Sequence, residues 1–198
     1  MPRWLVAMSK LKQPYKKPGR VLRELFEYLI GFIALAVFAG YAFAKGPPTE
    51  MRWLAAFKLG TAVGVLELGY LWFISRPANR LILGANLWLC AGGVAAFLEQ
   101  WWWLKLYEKF GEASLFACIL LAGIVSTVGS RSGFVGEIGP KTAVRSTSLI
   151  LLASVVLALI LAIAYKGDVK VAAVFPIIAL SWLNRVLRVK VRSARLGC

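Results

Sequence analysis

The chain has 198 residues, 60% of them hydrophobic and 17% charged, with a mean hydropathy of +0.71. A water-soluble chain of this length could not cover so much apolar surface, so lipid must be the solvent for much of it. The net charge of +15 gathers at helix ends and tails, which suits anionic lipid headgroups at a membrane face and leaves no soluble domain to present a nucleic-acid groove. There is no histidine, one aspartate (Asp168), and three cysteines (Cys90, Cys118, Cys198) without a CxxC pair. That composition excludes His-ligated haem and histidine-based triads, and neither a metal site nor a cofactor is expected.

Residues 1–23 hold seven basic residues and no acid. Trp4, Leu5, Val6, Met8 and Leu11 offer one apolar edge of a short interfacial helix that Pro14 and Pro18 would end. This segment is read as a basic cytoplasmic stretch that sets orientation. Glu27–Ala44 predicts a first membrane helix. Ala42-Phe43-Ala44 imitates a signal-peptidase site, but the leader would be unusually long, so a retained anchor is expected. Lys45–Glu50, with Gly46, Pro47 and Pro48, makes a turn.

Trp53–Ser75 is the second predicted helix and carries Lys58 and Glu67 inside an apolar run. At ~100° per residue, Gly60, Gly64, Glu67 and Leu71 share one face, within about 60° of each other. Gly60-xxx-Gly64 is the small-residue pattern that lets membrane helices approach closely. Glu67 is therefore expected against protein rather than lipid, protonated or bonded to neutral donors, with Asn86 or Ser126 as its partner. Lys58 lies about half a turn out of phase and cannot pair with it along the helix.

Gly84–Trp103 predicts the third helix, with Gly92-xxx-Ala96 as a second packing face and Trp101-Trp102-Trp103 as an interfacial belt at its end. Ala113–Gly129 predicts the fourth. The longest internal loop follows, where Gly133, Gly136 and Gly139 stand among Arg131, Lys141 and Arg145. Glycine-rich basic loops can bind a lipid headgroup or another anion. This one lacks both the GxxxxGK[ST] and GxGxxG orders, which favours a re-entrant or interfacial loop. Ser148–Ala164 and Val169–Leu187 predict the last two helices, Pro176 is expected to kink the sixth, and 188–198 forms a basic tail.

The expected fold is thus an all-α membrane protein, with residues 24–187 forming six transmembrane helices in three successive hairpins. The tails and even-numbered connections carry 17 of the 24 basic residues and the odd connections six. This bias predicts both termini on the cytoplasmic face of a bacterial inner membrane. The favoured function is a non-catalytic structural or accessory subunit, with membrane lipids and either other membrane subunits or further copies of itself as partners. One alternative is a small transporter or channel whose intramembrane ion site comprises Glu67, Lys58, Glu99 and Asn86. Another is a lipid-headgroup enzyme at the cytoplasmic interface, for which Glu137 is the loop's sole acid.

Overall fold

In lipid a backbone satisfies its own N–H and C=O groups most readily as helix, and the apolar runs take that form. A computed structural model describes residues 32–44, 46, 49–73 and 79–196. The basic segment 1–23, Glu27–Gly31 of the first predicted helix, the Pro47–Pro48 turn, Arg76 and Cys198 lie outside the described residues. Among the described residues the chain is all-helical: α1 Ile33–Phe43, α2 Glu50–Phe73, α3 Arg80–Phe97, α4 Trp101–Phe110, α5 Ala113–Gly129, α6 Lys141–Ala164, a π turn Lys170–Val174, and α7 Phe175–Leu196. Three helices are long and apolar enough to cross a membrane: α3, α6, and the π turn with α7. A fourth span results if α4 and α5, bent by 98°, count as one. Helix α2 has the length, at 24 residues, but Lys58 and Glu67 dilute its apolarity.

The helices pack largely in chain order: α1 on α2, α2 on α3, α3 on α5, α5 on α6, and α6 on the π turn and α7. Close approach depends on glycines. A Cβ at Gly84 of α3 would stand 2.8 Å from the Ile119 Cα of α5, and one at Gly123 of α5 would stand 2.9 Å from the Phe134 ring. Phe38, Trp53, Phe57, Trp88 and Tyr107 bring four helices together in one aromatic cluster, with ring centroids as close as 4.6 Å between Trp53 and Tyr107. Such offset and edge contacts favour one packing arrangement beyond simple area burial. The indole N–H of Trp88 donates to Ser114 Oγ at 2.9 Å.

Several boundaries differ from the sequence reading: α3 starts at Arg80 rather than Gly84, and α6 starts at Lys141 rather than Ser148, taking the end of the predicted loop into the helix. Helix α1 runs over Ile33–Phe43 among the described residues, and the predicted start at Glu27 lies outside them. The third helix ends at Phe97, not Trp103, because Glu99 takes a φ of 52° and breaks it. The tryptophans accordingly open a separate helix, α4, instead of closing the third. Ahead of Pro176 the chain forms a π turn in which the Phe175 N–H reaches the Lys170 carbonyl. A widened turn carries the preceding carbonyls away from the proline ring and tolerates its missing N–H. Finally, α7 continues through the supposed tail to Leu196. Its inner side chains Leu187 and Val191 are buried, Val191 against Gly139.

Candidate functional site

Glu67 is 5% exposed, and its two carboxylate oxygens are divided between two other helices. Oε1 accepts the Ala34 backbone N–H at 2.9 Å, and Oε2 accepts the Asn86 Nδ2–H at 3.1 Å. Ala34 is the second residue of α1, where N–H groups have no acceptor within their own helix. A carboxylate there does from a neighbouring helix what an N-cap does from within, and the positive end of the helix dipole favours its charge. Glu67 thus holds the start of α1 while Asn86 ties α2 to α3. Asn86 is 1% exposed and its Oδ1 is buried without a partner. A second polar tie lies deeper along the same pair, where Thr61 Oγ1 donates to the Leu89 carbonyl at 2.6 Å.

The small residues make room for these bonds. A Cβ on Gly60 would stand 3.0 Å from Phe38 Cβ, and one on Gly64 would make ordinary contact with Ala34 and Asn86 at 3.7 and 3.8 Å. Gly92 lies under the Phe57 ring, and Ala96 is buried. Lys58 and Glu99 stand apart from Glu67 and Asn86. Lys58 is exposed, with Nζ 5.3 Å from the Phe97 ring centroid, and Glu99 lies in the exposed turn after α3. Ser126, the other expected partner of Glu67, faces Arg80 instead.

The glycine-rich loop is folded on itself. The N–H groups of Phe134 and Val135 point to Ser148 Oγ, those of Gly136 and Glu137 to the Ser132 carbonyl, and that of Gly133 to the Ser130 carbonyl. Gly133 and Gly136 have φ of 59° and 70°, which glycine adopts without strain. These amides are therefore already used and offer no free N–H cradle to an anion. Arg131, Lys141 and Arg145 are exposed, and the last two belong to α6. Arg188 of α7 donates to the Val135 and Gly136 carbonyls, and Arg192 pairs with Glu137 at 3.1 Å. Gly139 fits against Val191.

The residues that join the far end of the bundle were not singled out by sequence reading. Asn79 caps α3 by accepting the Leu81 N–H, and it also accepts from Asn184 Nδ2 at 2.9 Å. Its position before an apolar run is a readable N-cap signal, whereas Asn184, 105 residues away, carries none. Arg80 reaches Ser126, Ser130 and Ser132. No group of three or more His, Cys, Asp or Glu side chains that could hold a metal occurs among the described residues. The chain matches no protein-family model, no curated protein and no solved structure.

Proposed function

We propose that this chain is a non-catalytic multi-pass membrane protein acting as a structural or accessory subunit of a membrane complex through helix packing. The observation that carries the reading is the state of Glu67: both oxygens are engaged by N–H groups of neighbouring helices. Each carboxylate oxygen is held in place by a neighbouring helix, which fits a role in helix register, and Lys58 and Glu99 do not join it at an ion site. A crevice beside α1 and the start of α7 is lined by apolar side chains such as Leu35, Phe38, Trp88 and Ile177, with Glu112 its one charged residue. Such a lining gives no aqueous path. Glu137, the loop's acid, is taken by Arg192, which speaks against a general base there.

In this reading six helices form three hairpins with both termini in the cytoplasm of a bacterial inner membrane, and residues 1–23 and 188–198 supply its basic face. The partners are membrane subunits or further copies of this chain. The test is co-purification of the tagged full chain in mild detergent. A stoichiometric membrane partner, or a defined homo-oligomer, is the expected result. A monodisperse monomer whose proteoliposomes pass protons or cations, with flux abolished in a folded Glu67→Gln protein, would overturn the proposal in favour of transport.

A further inference from the structure

We infer that Arg80 and the serines around it form a binding site for a phosphate group. The guanidinium projects from the first residue of α3 to the end of α5. Its Nη1 is 3.4 Å from Ser126 Oγ, and its Nη2 is 3.1 Å from Ser130 Oγ and 3.4 Å from Ser132 Oγ. Every partner is a neutral hydroxyl, and no carboxylate pairs with Arg80 among the described residues. A partly buried cation without a counter-charge is costly, and the cost falls when an anion completes the site.

The hydrogen-bond inventory points to the same ligand class. Ser126, Ser130 and Ser132 all accept from the guanidinium, so their own hydroxyl protons remain to be placed. Ser130 and Ser132 lie 2.9 Å apart and share one proton, which leaves the other hydroxyl and that of Ser126 as donors. The Nε–H of Arg80 is buried without a partner, as is the Nδ2 amide of the adjacent Asn79, a residue only 8% exposed. Positive charge with several unspent donors is matched by a group that only accepts: an oxyanion, and phosphate suits the planar fork of arginine. The site differs from the glycine loop beside it, whose amides are already used. The phosphate can belong to a lipid headgroup or be free in solution.

The full chain is reconstituted in nanodiscs of phosphatidylcholine with phosphatidylglycerol, and lipid retention is read by native mass spectrometry. Line broadening of inorganic phosphate is followed in parallel by phosphorus NMR in detergent. Wild type is expected to retain phosphatidylglycerol or to broaden the phosphate line. Arg80→Gln should weaken that binding about tenfold, as expected for loss of a charge-assisted bond. Ser130→Ala/Ser132→Ala should weaken it several-fold and carries the test if Arg80→Gln does not fold. Arg185→Gln, which removes an exposed charge from α7, should leave it unchanged. Retention of lipid that inorganic phosphate does not displace assigns the site to a headgroup; displacement, or phosphate binding alone, assigns it to the free anion. No binding by wild type, unchanged binding in either folded variant, or an equal loss in Arg185→Gln overturns the inference and leaves Arg80 as a cap on the end of α5.

Discussion

At the scale of single residues, Glu67 shows how one ionisable group can be kept deep in a helix bundle without a cation. Its acceptors are met by an amide N–H at a helix start and by an asparagine amide, both neutral. Asn86 supplies a reserve, because its Oδ1 is buried and unspent. If Glu67 becomes Gln, the new amide faces Asn86 Nδ2 donor to donor, and a flip of the Asn86 side chain turns that clash into a hydrogen bond. Glu67→Gln is therefore expected to cost less than about 1 kcal/mol in thermal unfolding in detergent. Glu67→Leu leaves the Ala34 N–H and Asn86 without an acceptor and should cost about 1–3 kcal/mol. Equal, small losses in both variants would show that the carboxylate does not hold α1.

At the scale of elements, small residues decide which helices touch, but not all of them weigh equally. A Cβ on Gly84 would meet backbone, at 2.8 Å from Ile119 Cα, whereas one on Gly64 would meet Ala34 Cβ at 3.7 Å. Backbone cannot step aside as a side chain can. Gly84→Val should destabilise the protein by about 1–3 kcal/mol, as overpacking does, while Gly64→Ala should be near neutral. A larger loss at Gly64 than at Gly84 would mean that α3 and α5 are not in this register. Helix α4 makes a related point about direction. It stands at 98° to α5, carries Trp101 and Trp102 exposed, and sends Tyr107 back into the aromatic cluster. Exposed indoles on a short helix at a right angle to its neighbour are the features an interfacial helix would carry.

At the scale of the whole molecule, the asymmetry of basic residues makes orientation the most direct test. A reporter fused after Cys198 is expected to be active only in the cytoplasm, and one inserted at Pro47–Pro48 only outside. A C-terminal reporter active on the outer side would require an odd number of spans and would undo the three-hairpin arrangement. The α7 extension ties this face together: Arg188 holds the Val135 and Gly136 carbonyls and Arg192 holds Glu137. The basic face is thus anchored to the loop between α5 and α6.

The sequence alone determined that the chain is helical and carries helices apolar enough to cross a membrane, because apolar composition and backbone satisfaction leave little else. It also placed α5 at Ala113–Gly129 to the residue, since serine and glycine end that apolar run, and it set Glu67 on the face of Gly60 and Gly64, since phase follows from helix geometry alone. Tertiary structure decided the rest. Periodicity could not reveal that Ile33 starts a helix whose Ala34 N–H is met by an acid 33 residues away. Nor could it show that Glu99 breaks α3 with a positive φ, or that the loop's amides are spent on Ser148 and on the Ser130 and Ser132 carbonyls. Nothing in its sequence context sets Arg80 apart from the other basic residues. Only the packing of α3 against α5 brings three serine hydroxyls around its guanidinium, and contacts of that kind are fixed by helix crossing rather than by spacing along the chain.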